Sequence, residues 1–238
     1  MKPTYVTMLL AFVLFSCAPL HDLQAPKLDA PFLGSLGKED HTLVQSNFKQ
    51  IGQPILNQPL VLSVQEIPFK KSSYKSYRNN KARNDANPTV LPSDSIPTPS
   101  TYLKFEIKDK IGCINQLNAP ENIEVRTYLS KDSNCKLVST ISMVLDQERV
   151  GDIRNAEALF LSTDSNGLLS IALINGNRKE KIRLAVSEIF EYGLLSFCWG
   201  TDTYGNAKIQ TLNDQNSCPK GTVNKAQKLN DTRSYLKL

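Results

Sequence analysis

The sequence has 238 residues, 40% of them hydrophobic, and its 28 Lys and Arg outnumber its 23 Asp and Glu to give a formal charge of +5. That excess is local: Lys70, Lys71, Lys75, Arg78, Lys81 and Arg83 fall within fourteen residues free of acidic side chains, and the other 22 basic residues face 23 acidic ones. An even balance over the rest of the chain excludes the broad basic face that a general nucleic-acid binder needs.

Met1 and Lys2 supply a short positive start, and Tyr5 to Phe15 form an apolar run interrupted only by Thr7. This is signal-peptide anatomy. A spanning helix needs roughly 20 apolar residues, and this run is about eleven long. Pro19, His21 and Asp22 follow at once, so residues 1–16 are expected to be removed. Leu14-Phe15-Ser16-Cys17 resembles the lipobox of bacterial lipoproteins, with bulky Phe15 where a small residue is usual. The resemblance implies that Cys17 becomes residue one and is acylated, and non-acidic Ala18 after it implies sorting to the outer membrane. Several acyl chains, at about 0.8 kcal/mol per buried CH2, make a stable anchor. The count of five cysteines agrees, because a lipid on Cys17 leaves four to pair. An ordinary secretory signal, releasing a soluble exported protein, is the alternative.

About 220 residues remain after the leader, enough for one domain with tails or two small ones. Residues 17–58 are rich in Pro, Gln, Asn and Leu without a sustained period and read as a flexible tether, whose 40 or so residues would reach roughly 35 Å. Within it Leu43, Val44, Phe48 and Ile51 are compatible with one helical face that Gly52 would end. Residues 59–68 read as a strand, apolar at Leu60, Leu62 and Val64, either the first of the head or a separate docking strand. Residues 69–100 then read as a basic and Pro-rich linker, with Pro88, Pro92, Pro97 and Pro99 favouring extended chain. Tyr74 and Tyr77 interleave Lys70, Lys71, Lys75, Arg78, Lys81 and Arg83 as in single-strand nucleic-acid binders, a reading an exported lipoprotein disfavours, and two others stand beside it. The basic residues form a solvated loop, or they are drawn to anionic lipid or another acidic surface, with about 1 kcal/mol per charge near a membrane.

From Thr101 the chain alternates strictly, with Leu103, Phe105 and Ile107 on one side and Lys104, Glu106 and Lys108 on the other. Similar signals recur at Ile123 to Leu129, Leu137 to Leu145, Leu169 to Leu173, Ile182 to Val186, Leu195 to Trp199 and Ile209. Short strands at such spacing predict an all-β antiparallel sandwich over residues 101–238. Between Gln147 and Leu161 a helical turn with Ile153, Ala156 and Phe160 competes with an edge strand at Ala158 to Ser162. Asn175-Gly176-Asn177 and Tyr204-Gly205-Asn206 mark turns.

Phe197-Cys198-Trp199-Gly200-Thr201-Asp202-Thr203-Tyr204-Gly205-Asn206 resembles the penultimate strand and turn of bacterial immunoglobulin-like domains, in which an alternating strand enters a T-D-x-x-G-N turn. Tyr128 to Cys135, ending Asp132-Ser133-Asn134-Cys135, and Thr163-Asp164-Ser165-Asn166-Gly167 ahead of Ser170 and Ile171 are similar to cysteine-bearing versions of those domains in bacterial surface proteins. The resemblance covers Ile123 to Cys218 and implies an immunoglobulin-like β-sandwich. One head stands where that family has repeats, and the Gln147 to Leu161 connection is long.

Cys113, Cys135, Cys198 and Cys218 allow three connectivities. Pairing Cys113 with Cys135 and Cys198 with Cys218 is favoured, since each pair flanks a local unit of neighbouring strands. Loops of about 20 residues give roughly 3 kcal/mol each on the chain-entropy account. Zinc is set aside because there is no C-x-x-C and export means an oxidising compartment. Asp132, Asp164, Asn166 and Asp202 are residues a calcium site would draw on, yet none completes an EF-hand, and turn formation accounts for them. Trp199 reads as core packing beside a disulfide.

No catalytic residue, cofactor or metal is expected. His21 and His41 precede the head, which therefore lacks an imidazole base, and there is no nucleophile elbow, phosphate loop or zinc helix. The carboxylate pairs Asp146 with Glu148 and Glu188 with Glu191 keep a cell-wall glycan hydrolase as the catalytic alternative. The sequence thus points to a non-catalytic envelope lipoprotein, held by its N-terminal lipid, that binds a protein or glycan partner and no nucleic acid. An accessory subunit of an outer-membrane or secretion assembly is the second reading.

Overall fold

The alternation at Thr101 builds the middle of one antiparallel sheet. The computed structural model describes residues 31–41, 46–90, 100–182, 184–215 and 217–229. Its strands are β1 (Leu36–His41), β2 (Ser46–Gly52), β3 (Leu60–Pro68), β4 (Thr101–Ile107), β5 (Lys136–Met143), β6 (Ala158–Thr163), β7 (Leu169–Asn175), β8 (Arg178–Ile182), β9 (Ile189–Thr201) and β10 (Ala207–Asn213). They lie in the order β10-β9-β5-β4-β3-β6-β7-β8. At β5 the sheet branches: Thr140 to Met143 pair with β4, while Lys136 and Leu137 pair with β1 of the β1–β2 hairpin. The fold is therefore predominantly antiparallel β, as expected, with helices α1 (Lys71–Arg83), α2 (Lys110–Asn118), α3 (Ile123–Lys131) and α4 (Gln147–Asn155) between strands.

Alternation sorts the sheet into two faces. Leu103, Phe105 and Ile107 of β4 join Leu60 and Leu62 of β3, Ile141 of β5, Phe197 and Trp199 of β9 and Leu161 of β6 in the main core. Each such fully buried side chain contributes about 1.5–3 kcal/mol. Tyr102, one residue off that register, points the other way and joins Phe69, Tyr77 and Phe190 in a second, aromatic cluster. Phe69 is its hub, with ring centroids 4.9 Å from Tyr102, 5.5 Å from Tyr77 and 5.7 Å from Phe190.

Part of the expected tether belongs to this fold. Leu33, Leu36, Phe48 and Leu56 are buried in the main core, and Ser46 to Gly52 is a strand where a helical face was expected; Leu43 and Val44 lie outside the described residues. Gly34 fits because its φ of +82° suits glycine and a Cβ there would meet Leu161 at 2.7 Å. The strand expected at 59–68 is β3, held between β4 and β6.

Three further expectations are corrected. The basic run is the helix α1, whose buried positions Ser73, Tyr77 and Lys81 recur every four residues. Ser73 starts it by accepting from the Lys70 N–H at 2.9 Å, half of a capping box. Ile123 to Leu129 is the helix α3 and not a strand. Of its apolar residues only Leu129 is buried, while Ile123 is 55% exposed. A 3-10 turn over Pro120–Asn122 starts it, and Glu124 in its first turn and Lys131 in its last suit the helix dipole. Between Gln147 and Leu161 both readings hold in succession, as α4 and then β6. Val186, expected in a strand, begins a 3-10 turn over Val186–Glu188.

Side-chain amides finish what the strands leave open. Asn118 accepts from the Ile209 N–H at 3.0 Å and donates to its carbonyl at 2.7 Å, closing the β10 edge. Asn122 does the same for Ile55, at 2.8 Å each way. The opposite edge, β8, reads Arg-Lys-Glu-Lys-Ile, a charged sequence that resists pairing with another chain.

Candidate binding cleft

The β9–β10 turn is built by Asp202, whose carboxylate accepts from the N–H groups of Tyr204 at 2.9 Å and Asn206 at 2.7 Å. Gly205 has φ +82°, which the turn requires. Asp164 closes the β6–β7 turn in the same way, from Asn166 and Leu168 at 2.9 Å each. Asp132 accepts from Asn134 at 3.1 Å and pairs with Lys38. These bonds hold all three carboxyls below their ordinary range: the Asn206 N–H chiefly for Asp202, the Leu168 N–H for Asp164 and Lys38 for Asp132. The charge of Asp202 and Asp164 is thus directed chiefly at their own turns, and that of Asp132 at Lys38 of β1. Among the described residues no group of three or more acidic, His or Cys side chains is placed to hold a metal ion.

One expected disulfide is present. Cys198 and Cys218 are joined with their Cα atoms 5.6 Å apart, closing 20 residues. Next to it the returning chain pairs with β9, Trp199 and Val223 exchanging backbone bonds of 2.7 and 2.9 Å. The Cys113–Cys135 bridge is not formed; both thiols are free and buried. The local pair of strands that favoured it is absent, since the chain between them runs through α2, the 3-10 turn and α3. Burial pushes the Cys113 thiol up to about 12 and the Cys135 thiol up to about 11.

Of the six basic residues, Lys81 cannot serve a surface. Its ammonium donates to both Glu188 carboxylate oxygens at 2.8 and 2.6 Å, with 6% of its side chain exposed. Lys70, Lys71, Lys75, Arg78 and Arg83 are exposed. That ion pair engages Glu188, one member of the Glu188 and Glu191 carboxylate pair. Asp146 caps α4 by accepting from the Arg149 N–H at 2.9 Å, and with Glu148, Asp152, Glu180, Arg149 and Lys181 it lines an open cleft of 430 Å³. Cys17 and His21 lie outside the described residues, and His41 ends β1.

A second cleft, of 540 Å³, opens between α3 and the β9–β10 turn. Ile123, Arg126, Thr127 and Ser130 face it from α3 at positions i, i+3, i+4 and i+7, one side of a helix. Asp202 and Asn206 line it from the turn and Lys208 from the start of β10, and buried Trp199, packed in the main core as expected, also lines it. Arg126 is oriented by a bond to the Asn118 carbonyl. Tyr204 stands 88% exposed at the tip of the same turn. Cations, hydroxyls and amides around one open cleft, with Ile123 and Trp199 in its lining, suit a polar ligand with an apolar face, such as a sugar chain or an extended peptide. Asp202 and Asn206 were legible as turn residues; Arg126, Ser130 and Lys208 were not. The spacing 123, 126, 127, 130 was present, but the alternation of Ile123, Val125 and Leu129 masked it.

No known protein family, no curated protein and no solved structure matches this chain.

Proposed function

We propose that this chain is a non-catalytic binding module of a bacterial cell envelope, anchored in the outer membrane by lipid on Cys17, that takes a glycan or protein partner in the cleft between α3 and the β9–β10 turn. The observation that carries the reading is the cleft itself, in which Arg126 and Lys208 face each other across an open, polar, partly aromatic space. Its walls are fixed by the Cys198–Cys218 bridge and the Asp202 turn, so little ordering is needed on binding. The lipid anchor rests on the Leu14 to Cys17 resemblance, and an immunoglobulin-like kinship rests on Phe197 to Asn206.

The test is titration of the purified protein with soluble peptidoglycan fragments, with outer-envelope polysaccharide and with envelope protein extract. Lys208→Ala removes a cation that lines the cleft and Tyr204→Ala the exposed ring at the tip of the adjoining turn, and each is expected to weaken the productive ligand about tenfold. A ligand bound equally by both variants, or no ligand at all, overturns the cleft reading. The hydrolase reading is kept by one observation, the 430 Å³ carboxylate cleft. It requires that Glu148→Gln abolish release of sugar from those fragments.

A further inference from the structure

We infer that α1 makes a second membrane contact, its solvent face docking on the headgroups of an anionic phospholipid bilayer. The inference goes beyond the cleft and rests on the envelope reading only for which surface is at hand. Lys71, Lys75 and Arg78 stand at i, i+4 and i+7, one line along the helix, turned away from the buried line of Ser73, Tyr77 and Lys81. Lys70 precedes them. Lys70, Lys75 and Arg78 carry the argument, since Lys71 and Arg83, though exposed, each engage another group. No acidic residue occurs from Pro68 to Asn84, and Glu188, which pairs with this helix, is engaged by buried Lys81.

The N-terminal end of the helix is charged against the dipole, whereas Lys81 and Arg83 in the last turn suit it. The first turn has no acid, and Lys70 and Lys71 sit beside the positive end. An anionic surface offsets that cost. The outer face lacks large apolar residues, Ala82 and Asn79 filling the gaps, so the contact is adsorption to headgroups and not insertion.

Distances permit it. Thirteen residues separate Cys17 from Pro31, where the described fold begins, and the fourteen steps between the two span at most about 50 Å fully extended. A lipid on Cys17 therefore keeps the sheet close to the bilayer. α1 packs where β9 begins, at Phe190, and the cleft lies where β9 ends, at Trp199, about 30 Å along the strand. Docking through α1 leaves the cleft at the far end.

The experiment is co-sedimentation of the full chain carrying Cys17→Ser, so that no acyl chain contributes, with vesicles of phosphatidylglycerol and phosphatidylcholine. Binding is expected to be absent on phosphatidylcholine alone and to fade as salt shortens the Debye length from about 10 Å. The triple variant Lys70→Gln, Lys75→Gln, Arg78→Gln is expected to lose roughly 100-fold, about fivefold per charge. A control with the same change in net charge, Lys49→Gln, Lys179→Gln, Lys220→Gln, is expected to lose less than fivefold in total. Equal losses in the two triples, binding that persists in high salt, competition by free inorganic phosphate at low concentration, or tighter capture of a single-stranded oligonucleotide than of vesicles overturns the proposal.

Discussion

The two ends of β9 are secured by different means. At its start the strand is covered by α1, through an aromatic cluster assembled from Phe69, Tyr77, Tyr102 and Phe190 and one ion pair, Lys81 with Glu188. At its end it is held by a covalent bridge, a carboxylate-closed turn and a returning segment paired at Trp199. The first end depends on groups brought from four parts of the chain. The second depends mostly on groups within about 25 residues of one another along the sequence. The first should therefore fail cooperatively with the fold, and the second locally.

The largest expected effect is at the first end. Tyr77 is fully buried against three aromatic rings, and its hydroxyl bonds Thr89 at 2.9 Å. Tyr77→Ala empties the centre of that cluster and is expected to cost about 3–5 kcal/mol in urea unfolding. Hydrogen exchange should show α1 unprotected. If α1 stays protected, the cluster does not hold the helix.

Reduction of Cys198–Cys218 is next, at about 3 kcal/mol on the chain-entropy account for its loop. Its signature differs: protection is lost at β10 and the segment to Val223, while α1 keeps its own. The same sample checks the thiols. In the folded protein Cys113 and Cys135 should resist alkylation; unfolding without reduction should expose two thiols, and reduction should expose two more. Four thiols only after reduction would restore the second bridge.

A smaller effect is expected for Lys81→Met, about 2 kcal/mol, because it leaves Glu188 without its partner. Glu188 is 31% exposed, which lets water replace part of the loss. Adding Glu188→Leu should recover most of the loss if the pair, and not the contact of the Lys81 ammonium with the Tyr77 ring, is what the first variant removes.

What the sequence made legible follows the same division. β4, β5, β7 and β9 were readable because their apolar residues alternate on one half-buried face, and the turns at Asp202 and Gly176 because their residues suit tight loops. α1 was not, because its buried line is Ser73, Tyr77 and Lys81. A buried lysine looks like a surface residue until Glu188, over a hundred positions away, is placed beside it. α3 was misread because Ile123 and Val125 alternate with polar neighbours while packing is decided at Leu129. The Cys113–Cys135 pairing inherited that error, since it presumed strands where helices stand.

The pH dependence bears on the second end. Asp202, Asp164, Asp132 and Glu66 are all held below their ordinary range, Glu66 by the Thr101 hydroxyl and then Arg154. Protons therefore bind the unfolded chain before the folded one, so their contribution is present above about pH 4 and is lost as pH falls through the depressed values. Asp202→Asn keeps an oxygen to accept from the Tyr204 and Asn206 N–H groups but removes the proton-binding step. It should flatten the acid limb of thermal stability, and acid-induced opening of the β9–β10 turn as pH falls below about 4 should no longer be seen in its exchange. Turn opening that rises with acid as steeply in Asp202→Asn as in the parent would mean that the carboxylate does not hold this end, and the cleft wall would have to be attributed to the disulfide alone.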